Sequence, residues 1–210
     1  MSDELEVMSV EQSAEIQAAV TRSEELIQWI DHSINGLDIP SDDRSCLGAG
    51  CIDVALEHEK AIIVLVARSL FAPALALMRL TFEAYVRGMW LLHCASDQEL
   101  KEFQRDKLDR TFNSLIEDLE KLDAYSSKVL SAAKASSWKA LNSFTHTGFL
   151  QAVRRITPKQ IAPRYRESEI LRTIGFADAI GIMCTIEIAG MASNNALAQS
   201  ALEKSRQVAR

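Results

Sequence analysis

Residues 73–93, PALALMRLTFEAYVRGMWLLH, decide the fold. The run is apolar almost all the way round, and Arg79, Glu83 and Arg87 sit in it at i, i+4 and i+8. That spacing predicts a helix with three charges near one face. A helix apolar on its other sides belongs in a core, and a charge carried there is costly unless paired. The stripe therefore either faces a cleft or pairs internally and with groups from other helices. Pro73 suits the first turn of such a helix, where its missing N–H costs nothing.

Working upstream, residues 43–70 predict a second helix that ends in AIIVLVA at 61–67. This run continues the amphipathic EHEK without a turn signal, so it reads as helix rather than strand. Gly48 and Gly50 weaken its start. A first helix spans about 10–34, opened by a capping box at Ser9–Gln12 and closed by Asn35-Gly36. Ser41 or Asp42 caps the second helix. Residues 1–8 read as a frayed N-terminus. Downstream, Ser96–Glu99 forms another capping box and opens a fourth helix over 97–123, with Leu100, Phe103, Leu108, Phe112, Leu115 and Leu119 in helical period. Ser126-Ser127 caps a fifth helix, which carries Asn142 and His146 on one face and stops at Thr147-Gly148. The helix C-terminus favours a protonated imidazole at His146. A short helix follows at 149–155. The last long helix runs from Glu167 to about Asn194, with Gly175, Gly181 and Gly190 allowing close helix contacts. The architecture expected is all-α, an up-and-down bundle of about six helices. It forms one domain over 9–195, with a polar helical or disordered tail at 196–210.

The chain has 210 residues, 48% hydrophobic and 25% charged, ordinary values for a globular protein. Its net charge is −6, but residues 1–60 carry −11 and the remainder +5. An acidic total argues against broad nucleic-acid binding. Yet the loop Arg154–Arg166 holds Arg154, Arg155, Lys159, Arg164 and Arg166 with no acid. It suits an RNA backbone, a nucleotide or an acidic partner. The reading favoured here is pairing with the acidic N-terminal helix of the same or a second subunit. Cys46, Cys51, Cys94 and Cys184 follow no apolar leader, so reduced thiols in the cytoplasm are expected. Residues 61–78 and 174–193 fall short of the ~20 clean apolar residues of a membrane span.

The chemical candidates are few. Glu83 is a buried ion-pair partner of Arg79 or Arg87, or else a general base or phosphate-site organiser. His146 is a helix-end histidine or an acid/base group. His58 lies in a charge run and reads as solvated. No paired Glu-x-x-His, H-E-x-x-H, P-loop, G-x-S-x-G or G-x-G-x-x-G is present. No metal or cofactor site is expected, and conventional hydrolase, kinase and nicotinamide chemistry is not indicated.

Met78-Arg-Leu-Thr-Phe-Glu83 and Leu141-Asn-Ser-Phe-Thr-His-Thr-Gly148 resemble uncharacterised bacterial all-helical proteins with an R-x-x-x-E helix and a later N-x-x-x-H-x-G turn. Those are similar to the HEPN class (higher eukaryote and prokaryote nucleotide-binding domains). The resemblance covers roughly residues 50–190 and rests on short motifs. It implies a helical bundle, often dimeric, sometimes with RNase activity in toxin or phage-defence systems. His146 matches the histidine of the HEPN nuclease motif. The arginine before it is absent, and Lys139 stands seven positions upstream without the bidentate fork. Arg79, on another helix, is the candidate for that guanidinium. Two functions are thus carried forward. One is a non-catalytic, homodimeric bundle with a structural or ligand-binding Arg/Glu/His centre. The other is a metal-independent HEPN-like RNase or nucleotide-binding protein. It would use His146, Asn142 and Glu83 in catalysis and Arg79, Arg87, Lys139, Arg154 and Arg155 toward phosphate.

Overall fold

The computed structural model describes residues 13–208 and is all-α, apart from one antiparallel bridge between Ile156 and Ile161. Helix α1 is Ala14–Ile34, α2 Asp43–Ala67, α3 Phe71–His93, α4 Asp97–Gln104, α5 Phe112–Leu119, α6 Val129–Thr145, α7 Phe149–Ala152, α8 Glu167–Met191 and α9 Asn195–Val208. The capping box expected at Ser9–Gln12 and the N-terminal segment 1–8 lie outside the described residues. Ser13 caps α1 instead, accepting from the Ile16 N–H at 3.2 Å. Asp42 caps α2 and Ser96 with Glu99 boxes α4.

Among the described residues nine α-helices replace the roughly six expected. The largest difference is the predicted helix at 97–123, which breaks into α4 and α5. Asp106 takes a left-handed φ of 54°, and the Lys107 N–H closes the turn on the Glu102 carbonyl at 2.8 Å. Thr111 then caps α5. The break has a side-chain reason. Arg110 stands over the Trp90 ring, 5.4 Å from its centroid, and pairs with Glu99 and Asp118. The Trp90 indole also donates to Asp118 at 3.2 Å. One guanidinium thereby fixes both short helices against the fully buried Trp90.

Helices α2 and α3 pack antiparallel and unusually close. A Cβ at Gly88 would lie 3.0 Å from the Gly48 carbonyl oxygen, and one at Gly48 only 2.3 Å from Leu92 Cγ. Glycine at these two points lets α3 sink into the centre. Helices α5, α6 and α8 pack on α3, α1 and α8 pack on α2, and α9 closes over α8. One core cluster gathers Leu56, Phe82, Trp90, Leu115 and Ile180; another gathers Ile16, Ile62, Phe71, Ile170 and Ile174. Helix α8 is long and apolar enough, by length and composition alone, to cross a membrane, although Asp178 and Glu187 interrupt it. Half of that window is buried, and the helix packs against α1, α2, α3 and α9, as a core helix does. Of its three glycines only Gly181 makes a close contact; around Gly175 and Gly190 a Cβ would meet nothing within 4 Å.

What Gly181 admits is a carboxyl group. A Cβ there would lie 2.2 Å from Glu59 Oε1. Glu59 is fully buried, and neither of its oxygens has a hydrogen-bond partner. Asp178, one turn earlier on α8, is also buried and accepts from the Ser23 hydroxyl of α1. Burial, reinforced by the Asp178 charge, holds Glu59 well above the usual carboxylate range, and burial pushes Asp178 up to about 6. Both groups bind protons more tightly folded than unfolded, so their contribution to stability is full below about pH 4 and is lost as pH rises. Asp178 loses it between its unfolded value and about pH 6, and Glu59 continues the loss beyond. Glu59→Gln is therefore expected to raise the thermal midpoint at pH 8 and to flatten its decline between pH 5 and 8. Calorimetry over that range checks this, and an unchanged slope refutes it.

Candidate functional site

The charge stripe on α3 divides. Arg79 Nε donates to Glu83 Oε1 at 2.8 Å, one of the two i, i+4 pairings that the spacing left open. Arg87 forms no ion pair with Glu83 within 4 Å; eight residues on from Arg79 it has rotated away, and its charge acts on Cys51 of α2. Arg87 is thus not part of the centre.

The rest of the centre comes from α6. Arg79 Nη1 donates to Asn142 Oδ1 at 2.6 Å and to His146 Nε2 at 2.8 Å. Four residues separate Asn142 from His146, so a single α6 face presents both to one guanidinium nitrogen. The Thr145 hydroxyl donates to the Ala76 carbonyl at 3.2 Å, which fixes the two helices in register. Arginine has only donors, so the contact requires the lone pair of His146 Nε2, with the ring proton on Nδ1. The helix end also differs from the sequence reading. Thr147 takes the left-handed conformation, with φ of 52°, and Gly148 opens α7 in extended backbone. The stop holds because Gly148 N–H reaches the Ser143 carbonyl at 2.7 Å and the Ser143 hydroxyl accepts from Leu150 N–H at 2.9 Å.

Aromatic rings complete the setting. The Arg79 guanidinium carbon lies 4.8 Å from the Trp138 ring centroid, and Lys134 Nζ lies 4.9 Å from it. Trp138 stacks on Phe112 at 4.8 Å with an interplanar angle of 12°. A groove of about 620 Å³ between α5 and α6 is lined by Trp138, Lys134, Lys139 and Asn142, with Glu117 and Glu120 opposite. Lys139 is exposed there, and His146 is exposed at the end of the same helix. Arg79 and Glu83 keep about a fifth of their side-chain surface in solvent, 21% and 23%. The site is a partly open polar centre in which Arg79, Lys134 and Lys139 face Glu83, Glu117 and Glu120, not a sealed core network. Sequence reasoning missed Phe112, Lys134 and the stacking role of Trp138. Their only trace was a tryptophan among the polar residues of 136–148.

The basic loop does not join this centre. Arg154 pairs with Glu169 in the first turn of α8 and stands 5.0 Å from the Phe144 ring centroid. Arg155 lies over Tyr165 at 5.9 Å. The expected pairing with the acidic N-terminal helix of the same chain does not occur among the described residues; Glu169, next to the loop in sequence, takes Arg154 instead. His58 departs from the solvated reading as well. It is half-buried with Nδ1 unpartnered, and burial holds its pKa below the ordinary value. All four cysteines are free thiols. Among the described residues no three His, Cys, Asp or Glu side chains gather to hold a metal ion.

Removing Glu83 leaves Arg79 partly buried without its carboxylate. A pair of this exposure falls between a surface bridge and a buried one, so Glu83→Ala is expected to cost about 2 kcal/mol. Urea unfolding measures it. A loss below about 0.5 kcal/mol would class the pair with ordinary surface bridges.

No curated protein and no solved structure matches the chain. One family model does, over residues 52–209, a span that contains Arg79, Glu83, Asn142 and His146. The chain belongs to DUF6988, a family of unknown function.

Proposed function

We propose that the protein is a non-catalytic, homodimeric helical bundle whose Arg79 centre binds an anionic ligand. The observation that carries the reading is the double donation from Arg79 Nη1 to Asn142 and His146, with Nε held by Glu83 and the guanidinium carbon over the Trp138 ring, 4.8 Å from its centroid. The guanidinium is oriented before any ligand arrives, which cuts the ordering cost of binding. Among the described residues Nη2 has no hydrogen-bond partner, so its two donors are left for an incoming oxygen pair. Exposed Lys139 and the half-buried Lys134 add positive charge along the adjoining groove. Four unbridged thiols favour a cytoplasmic location.

A second reading is favoured by the 2.8 Å contact between Arg79 and His146. The chain resembles HEPN proteins, whose nuclease motif joins an arginine to a histidine, and here a guanidinium from α3 stands where α6 lacks one. In that reading the protein is a metal-independent RNase or nucleotide-binding protein. His146 would be its acid/base group, Asn142 the positioning group, and Arg79 with Lys139 the phosphate contacts.

One pair of assays separates the two. Titration of inorganic phosphate and of a short labelled single-stranded RNA is expected to show binding that weakens at least tenfold in Arg79→Lys, which keeps the charge but loses the fork. Labelled RNA incubated without metal is expected to stay intact. Cleavage by the wild type that disappears in an equally folded His146→Ala replaces the first reading with the second. If neither probe binds and nothing is cut, the ligand-binding reading falls and the centre is structural.

A further inference from the structure

The outward face of α2 sets two exposed valines among its charges. Gly50, Val54, Glu57, Ala61, Val64 and Arg68 follow one another there at steps of three and four residues, the spacing of a helix–helix seam. Val54 is 42% exposed and Val64 60%. Gly50 is open, since a Cβ on it would meet nothing within 4 Å. Leu80 of α3, the helix paired with α2, and Leu70 in the turn between them are exposed too. Large apolar side chains left in water along one helix pair mark a surface that is covered in the working protein.

The charges on the face select what covers it. Asp53 and Glu57 lie in its first half and Arg68 at its end, and among the described residues none of the three makes an ion pair. A second copy laid antiparallel brings its Arg68 over Gly50 beside Asp53, and its Val64 onto Val54. Gly50 leaves room for the arginine stem. A parallel copy would set Glu57 against Glu57. The face is thus complementary to itself in one orientation, as a twofold interface must be.

We infer that α2 supplies the dimer seam, packing antiparallel against α2 of a second copy about Val54 and Val64. This rests on the homodimer reading above and adds the surface and the orientation to it. Phe149, Ile156 and Ile161 around the basic loop, the most exposed of the other large apolar side chains, offer no such self-complementary charge pattern, and Ile39, Val129 and Leu202 stand on separate elements.

Sedimentation velocity of the full chain over a range of concentrations tests both levels. The wild type is expected to be dimeric, and Val64→Glu to raise the dissociation constant at least tenfold with helix content unchanged by circular dichroism. Asp53→Arg and Arg68→Asp should each weaken the dimer, and the double variant should restore it, which decides the matter even if Val64→Glu fails to fold. A wild type that stays monomeric throughout overturns the homodimer reading and the seam together. A dimer indifferent to Val64→Glu and to the charge exchange overturns the seam alone and leaves the homodimer reading standing.

Discussion

The close approach of α2 and α3 at Gly48 and Gly88 is the constraint on which the rest of the structure depends. A methyl group at either position would run into the opposing helix, as far in as the Gly48 carbonyl and the Leu92 side chain. Because it is missing, α3 lies deep enough for α5, α6 and α8 to bury their apolar faces on it. Trp90, the largest fully buried side chain, fills the space thus enclosed. Burial of side chains of this size supplies roughly 1.5–3 kcal/mol each, which is where the stability of an all-helical chain comes from.

A central helix in that position inherits a problem with its charges, and the answer to the problem is the candidate site. Arg79 faces neither open water nor pure hydrocarbon. Glu83 from its own helix, Asn142 and His146 from α6, and the Trp138 ring hold its Nε and Nη1 side, leaving Nη2 open. The same contacts that settle the energetic cost also orient the guanidinium. Structural and ligand-binding roles are therefore not opposites here, since an arginine held from several sides is a better receptor than a free one. Glu59 shows the other solution. With no partner on either oxygen, it is held well above the ordinary carboxylate range by its burial.

Where prediction and structure part, the cause is an interaction between elements. The periodicity of 97–123 is helical throughout, and the break at Asp106 arises because Arg110 must reach Trp90, Glu99 and Asp118 together. The basic loop looked free because it contains no acid, but Glu169 lies just beyond it and captures Arg154. Arg87 shares a spacing with Arg79 yet not a neighbourhood, because eight residues of helix turn it toward α2.

The sequence by itself determined the all-α class, a cap for α2 at Ser41 or Asp42, the capping box at Ser96, the stripe of Arg79, Glu83 and Arg87 on one helix, and the shared face of Asn142 and His146. These are consequences of local spacing and local hydrogen-bonding chemistry, which a short window of residues carries in full. Only the tertiary structure decided that Arg79 meets His146, that Trp138 and Phe112 stack beside them, and that Glu59 seats against Gly181. Each joins helices far apart in the chain, and their relative depth and rotation follow from side-chain volumes at the contact, for which no local pattern exists.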